Sequence, residues 1–562
     1  MSEHKSDNRP RRPLREVVID IDRDILRLLL RRHNLLERMR SGKGHLEPGE
    51  EKILRQAWEA ASSRVSSDPR LSGRFFSLMQ EVEFMPRPAA PIAEGQEADA
   101  AEAMRTAFNL APPHRPVLLS APAPQACRIS RAWLMIAASS GQPLRLEPCL
   151  LNDAIVDCVK ALAQMGSALT REAQGVTVRA ARPVERPDKV LHVGDSSWNF
   201  FLLLGYYLGG PSRAKFTGGS SLKLADFSAV RRFLPQMGAR LTHVVPRSDG
   251  LPVRLESSGI LPGSISIPAD VPAELAEGIL LSAPFYEKSL RIDLSAHPQR
   301  QDIMDRVLPL LQAVRADVTE KDFCVHVIPG SVSVPEKPSL PMDASLAAPL
   351  LALPLLLAGE VRLEGGWSQN RNDDQPLAML RSLGLKMSMS ADHVTAAIAS
   401  PLAADTFVLP TPLAPEWLPF GLALAAAVCL RSGEARIPSE TIADADMGQI
   451  DGFLLACGLE RDENGLLHKA SQSANNVWNA PSPAWALALA LAACARDARS
   501  TGFKLGNPGI MMGLYPAFWA LYNSLPEPAL KRPQPDQAPA PVRRRIRTNA
   551  IAVPPEMSDE EY

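Results

Sequence analysis

The chain has 562 residues, 46% of them hydrophobic and 22% charged, and a formal net charge of −1. That length exceeds what one hydrophobic core organises, so two or more domains are expected. The near-neutral balance argues against a nucleic-acid partner, and the longest apolar runs (346–358 and 418–430) fall short of the roughly 20 residues that cross a bilayer.

Seven cysteines are scattered with no C-x-x-C or Cys/His spacing, which predicts free thiols and no zinc site. Residues 1–13 are polar and basic, without the apolar core of a signal peptide. A reduced cytoplasmic compartment is therefore expected, with no cofactor, metal, membrane or nucleic acid.

Residues 14–40 contain no Pro or Gly. Ile21, Ile25, Leu28, Leu35 and Met39 form one apolar stripe at helical spacing. Gly42 and Gly44 end this helix. A second is expected from Pro48, a first-turn proline, to Arg64. A third follows Ser67-Asp68-Pro69 and stops before Pro86. Residues 86–116 are rich in Pro, Ala and Glu and read as a linker, with a helical turn near 100–108. Over 117–525, β-like apolar runs alternate with Ala/Leu-rich helices. Residues 526–562, with their basic run Arg543-Arg544-Arg545-Ile546-Arg547, read as a disordered, solvated tail, as do residues 1–13.

The large segment has an internal period. One helix type ends at Gly166, Gly238, Gly384 and Gly458, glycines 72, 146 and 74 positions apart, so the unit is about 73 residues. A further copy at 308–316 has lost its glycine, and another is expected near 515–525. Glycine there suits a left-handed C-cap that turns the chain into a strand. A second, more apolar helix recurs near 130–141, 200–209, 273–283, 346–359, 419–433 and 483–494. Six units of two helices and several short strands predict an α/β architecture in two lobes of three units, divided near 335–342.

The first 70 residues or so resemble the helical class of chorismate mutase. The matching pattern is Leu14-Arg15-Glu16, Ile21-Asp22, Leu28-Leu29-Leu30-Arg31-Arg32, Lys43 and Glu50-Glu51. The resemblance implies an all-α three-helix domain over 14–85. Arg15 and Arg32 would hold the carboxylates of chorismate, Lys43 its ether oxygen and Glu51 its ring hydroxyl. Arg32 and Lys43 lie about 16 Å apart along one helix face, eleven residues being close to three turns. Arg15 is rotated about 100° from Arg32 by the same geometry. In the family that Arg reaches the partner's site, so a homodimer is implied. The rearrangement to prephenate is pericyclic, needing a held geometry and cations at the ether oxygen rather than a nucleophile. The competing reading is a helical dimerisation arm with solvated charges.

The large segment resembles the EPSP synthase (3-phosphoshikimate 1-carboxyvinyltransferase) family over about 400 residues. The resemblance rests on the repeat and on Arg131-Ala132, Leu191-His-Val-Gly194, Phe216-Thr-Gly-Gly-Ser-Ser-Leu-Lys223, Gly263-Ser-Ile-Ser-Ile-Pro268 and Met342-Asp-Ala-Ser345. It implies an inside-out α/β barrel fold of six βαβαββ-type repeats over 117–525. In the family, the enolpyruvyl group of phosphoenolpyruvate moves to shikimate 3-phosphate in a cleft between lobes.

Two phosphorylated anions call for Lys and Arg there, and this sequence departs from that demand. The opening motif reads Ala123-Pro-Gln-Ala-Cys-Arg-Ile-Ser-Arg131, keeping Arg131 but placing Ala126 at the Lys and Cys127 at the Ser. Phe201 and Ala225 stand at two Arg positions, and Pro272-Ala273-Glu274 at the Ser-Ser-Gln clamp. Pro419 aligns with the family's catalytic Asp, with Glu416 three residues away. Ile442 to Asp446, Ser482-Pro-Ala484 and Gly513 occupy the remaining charged motifs. Each unpaired charged hydrogen bond costs on the order of 1.5–3 kcal/mol. The expectation is therefore a domain of this fold without the family's usual activity, its degenerate cleft marked by Arg131, Lys223, Asp343 and Glu416. The alternatives are a divergent carboxyvinyltransferase binding phosphorylated shikimate-pathway ligands, its cations regrouped from Arg128, Lys215, Arg300 and Arg371, and a non-catalytic scaffold or sensor.

Overall fold

The computed structural model describes residues 108–110, 116–245, 248–368, 370–400, 406–441, 447–470, 477–496 and 502–525, together with positions 25, 28, 32, 53, 54, 56–58 and 60, which are helical. The rest of the expected mutase-like domain, including Arg15, Lys43 and Glu51, and the tail over 526–562 lie outside the described residues. Arg32 is described only as a half-buried helical residue.

The helices of the large segment that are apolar on every side lie inside. Ser197–Leu208 is buried from Trp198 to Leu208, and Leu418–Leu430 from Leu418 to Cys429. A helix with no polar stripe has no face to offer water and becomes the centre of a core. Cys127–Ser140, Ser197–Leu208 and Ala273–Ser282 build the first core. Ala344–Leu351, Leu418–Leu430 and Pro483–Ala493 lie in a second. Within the first core, two helices touch backbone to backbone. A Cβ on Gly278 would stand 2.3 Å from the Phe201 carbonyl oxygen, and one on Gly205 would stand 2.4 Å from the Gly278 backbone.

Sheets wrap these helices. Three of them share one plan: a parallel pair, then two antiparallel partners. Val190–His192 runs parallel to Pro211–Thr217, which pairs antiparallel with Val253–Ser258, followed by Ala239–His243. Ser264–Ser266, Leu290–Asp293, Cys324–Ile328 and Asp317–Lys321 repeat that order. So do Val117–Pro122, Gly359–Glu364, His393–Ile398 and Lys386–Met389.

The last sheet shows that the strand preceding the first core belongs to the second. The chain therefore crosses between lobes twice, at 123–126 as well as at 335–342. The crossings lie side by side: Ala126 N donates to Pro341 O (2.9 Å) and Asp343 N to Pro124 O (2.7 Å).

Phe108–Leu110, read as linker from composition, is a strand paired with Phe503–Leu505. Leu110 is fully buried and the Phe108 ring lies 4.8 Å from that of Trp519, so apolar side chains draw it onto the second lobe. The recurrent glycines end their helices as expected: Gly166, Gly238, Gly384 and Gly458 have φ of 102°, 64°, 89° and 72°. Where the glycine is lost, Arg315 takes φ 57° and makes the turn itself, at the steric cost a Cβ brings to that region.

Candidate active site

The double crossing places the start of Cys127–Ser140 beside the start of Ala344–Leu351. Asp343 caps the latter, its Oδ1 accepting from Ser345 N (3.1 Å) and Ser345 Oγ (2.6 Å). The Cys127 backbone N–H also donates to it, so this carboxyl spans the lobe junction. Burial raises its pKa, against the pull of those hydrogen bonds. Asp373 is raised to about 6, chiefly by burial, with Asp343 and Glu416 adding repulsion and Ser368 and Arg306 opposing. Asp343, Asp373 and Glu416 thus share one electrostatic neighbourhood on the second lobe, facing Arg306 of the first. Glu416 is exposed in the 3-10 turn Pro415–Trp417.

Across the cleft, Glu277 is 1% exposed in the largely apolar helix Ala273–Ser282. Its Oε2 accepts from Trp198 Nε1 (3.0 Å) and pairs with Arg128 Nη2 (2.8 Å), and its Oε1 pairs with Arg306 Nε (2.9 Å). One carboxylate between two guanidiniums leaves a unit positive charge. Arg128 Nε is buried without an acceptor.

Arg131 is itself an internal strut. It is 7% exposed; Nη1 donates to Ser196 Oγ (2.7 Å) and Asn199 Oδ1 (2.9 Å), and Nε to Cys127 O (3.1 Å). Its guanidinium stacks 4.9 Å from the Trp198 ring centroid. Burial pushes the Cys127 thiol up, so it is poorly suited to act as a thiolate. Lys223 closes the short helix Ser220–Leu224, whose start is held by Asp195 through Ser221 Oγ (2.5 Å) and Leu222 N (3.3 Å). None of the hydrogen bonds made by Arg131 reaches Lys223.

Of the regrouping cations, Arg371 reaches across the lobes to Asp305 (3.6 Å), beside Asn372 Nδ2 donating to Asp302 Oδ1 (3.3 Å). Arg300 lies over the Phe323 ring, and Lys215 is on a sheet of the first lobe.

Three contributors went unread in the sequence: Glu277, Arg306 and Asp373. Glu277 had a signal, a carboxylate in the middle of a largely apolar helix, which demands partners once buried. Arg306, in the helix Arg300–Ala313, and Asp373, in the 3-10 turn Arg371–Asp373, sit among ordinary surface charges and had none. Among the described residues no cluster of His, Cys, Asp and Glu suits a metal ion, and no helix is long and apolar enough to cross a membrane.

Chemically, this cleft offers a carboxyl that ionises near neutrality, a second whose charging is disfavoured, and a cationic pair held by one carboxylate. Such a set can donate and accept protons beside an anion.

The chain and its fold have known relatives. The family model for EPSP synthase (3-phosphoshikimate 1-carboxyvinyltransferase) matches residues 123–437. The 3-phosphoshikimate 1-carboxyvinyltransferase of Vibrio campbellii is 25% identical over 278 residues, covering 47% of this chain and 64% of that protein. The one from Methanocorpusculum labreanum is 23% identical over 288 residues, 50% of this chain and 66% of that one. The chain thus spans just under two thirds of these relatives' length. Among solved structures, an EPSP synthase from Acinetobacter baumannii superposes with TM-score 0.61 at 17% identity, over 74% of this chain and 97% of that one. The enolpyruvyl transferase NikO from Streptomyces tendae gives 0.56 at 16%, over 75% and 97%. The two-lobed fold is therefore shared in nearly full extent by proteins whose sequences have diverged widely.

Proposed function

Because the chain belongs to the EPSP synthase family, we propose that its two-lobed domain is an enolpyruvyl transferase of the shikimate pathway, moving the carboxyvinyl group of phosphoenolpyruvate to the hydroxyl of shikimate 3-phosphate. The observation that carries this reading is the carboxyl cluster at the junction, above all Asp373 with its pKa of about 6. Addition of an alcohol to an enol double bond needs a proton delivered to the methylene carbon and one removed from the hydroxyl. Loss of phosphate, together with a proton taken back from the newly formed methyl group, then restores the double bond. A carboxyl poised near working pH performs such transfers efficiently. Arg128 and Arg306 are the nearest cations for the anionic groups, and an incoming phosphate competes with Glu277 for them. The names of the relatives favour this reading over a domain with no turnover.

The test is the pH profile of transfer by the full chain. An ionisation near 6 is expected in the wild type and absent in Asp373→Asn; an unchanged profile in the variant overturns the assignment.

A second reading is favoured by a separate observation. The Arg131 donors are engaged inside the protein, and Arg128 and Arg306 already share an internal carboxylate. A cleft so neutralised suits a non-catalytic scaffold or sensor, for which ligand binding without phosphate release would be decisive.

For the N-terminal segment, the sequence supports a chorismate rearrangement to prephenate by Arg15, Arg32, Lys43 and Glu51, in a homodimer, in the cytoplasm. Loss of chorismate turnover in Lys43→Ala tests it.

A further inference from the structure

The outer face of the sheet containing Pro211–Thr217 is unusually cationic. Register places Arg213 opposite Glu256, and Glu256 opposite Arg240 on the next strand, so a single carboxylate lies between two guanidinium-bearing positions. In the adjacent row Lys215 lies directly opposite Arg254. Like charges in that relation destabilise a sheet unless something compensates.

Beside this face is a shallow cavity, widely open to solvent, of about 680 Å³, lined by Arg186, Arg213 and Arg240, with Asp188 and Glu256 also in its wall. Arg186 is held in place: Nε donates to Tyr206 O (2.8 Å) and its guanidinium stacks 4.4 Å from the Tyr206 ring centroid. Its Nη2 is buried with no hydrogen-bond partner. Among the described residues, none of Arg186, Arg213 and Arg240 forms an ion pair.

We propose that this cavity is a binding site for a small phosphorylated molecule, separate from the inter-lobe cleft. Three guanidiniums against two carboxylates leave a net positive cavity. Planar forked donors match phosphate oxygens better than ammonium groups do. One of the three is already ordered by stacking, which lowers the cost of organising the site. The concavity and its interleaved carboxylates favour a compact dianion over a nucleic-acid strand, which needs a continuous basic track.

The experiment is calorimetric titration of the full chain with inorganic phosphate and pyrophosphate. It compares wild type with the Arg213→Ser/Arg240→Ser double variant and with Glu277→Gln in the cleft. Arg213 and Arg240 are exposed, so the double variant retains the fold, which an unchanged melting temperature verifies. Saturable pyrophosphate binding is expected, weakened about tenfold or more in the double variant and retained in Glu277→Gln. No binding by wild type, equal affinity in the double variant, clearly tighter binding in Glu277→Gln, or binding of a single-stranded oligonucleotide but not pyrophosphate would each overturn the proposal. Tighter binding in Glu277→Gln, which frees Arg128 and Arg306 from their carboxylate, would assign the phosphate to the cleft, so this site and the transferase reading stand or fall separately.

Discussion

Glu277 holds Arg128, Arg306 and Trp198 together from inside an apolar helix. Removing one partner of a buried charge cluster strands the others, so Glu277→Ala should cost about 3–5 kcal/mol in chemical denaturation; a loss under about 1 kcal/mol would mean that the arginines find other acceptors. Asp373 carries a pH signature. Its carboxyl ionises near 6 in the folded protein against an ordinary 3.8. The native state therefore holds that proton more tightly than the unfolded chain. Its contribution is fully present below about 3.8 and is lost as pH rises to about 6. Asp373→Asn should match wild type near pH 4 and exceed its stability above pH 6 in denaturation midpoints; a constant difference across that range would refute the assignment. Asp343 and Glu416 were legible from sequence because they fall beside the family's motifs. Arg131 was equally legible as a residue but not in its role. Its burial against Trp198 depends on a partner 67 positions away, which no local pattern specifies.

At the scale of elements, the crossing of Ser197–Leu208 and Ala273–Ser282 admits no side chain at Gly278. Gly278→Ala should destabilise the first lobe by about 1–3 kcal/mol through overpacking, read as a lower denaturation midpoint; a neutral result would show that the helices slide apart freely. The lobe-bridging Arg371–Asp305 contact differs in kind, Arg371 being 75% exposed in its side chain. Exposed pairs contribute at most about 1 kcal/mol, so Arg371→Ala should leave stability nearly unchanged while broadening the lobe separation seen by small-angle X-ray scattering. Helices were the most readable elements, because their apolar runs and terminal glycines are written locally. The strand Phe108–Leu110 was not, since three residues acquire β pairing only from Phe503–Leu505, nearly 400 positions later.

The whole molecule interleaves its lobes: the strand before the first core completes the second, and the two crossings meet where Cys127 and Asp343 face each other. That arrangement explains how the cleft chemistry gathers at a junction rather than inside either core. The period near 73 residues made the α/β architecture readable, but the second crossing was not, because a parallel pairing of Val117–Pro122 with Gly359–Glu364 leaves no mark in either strand. The missing cations of the family motifs argued for a silent cleft, whereas Asp373 adds a carboxyl, and Arg306, joined through Glu277 to Arg128, adds a cation, from positions those motifs do not cover. Product formation from phosphoenolpyruvate and shikimate 3-phosphate by the purified full chain, followed as inorganic phosphate release, tests this most directly. The account predicts turnover that depends on both substrates and falls about 10²–10⁴-fold in Asp373→Asn. Folded protein that releases no phosphate above the enzyme-free rate would contradict it.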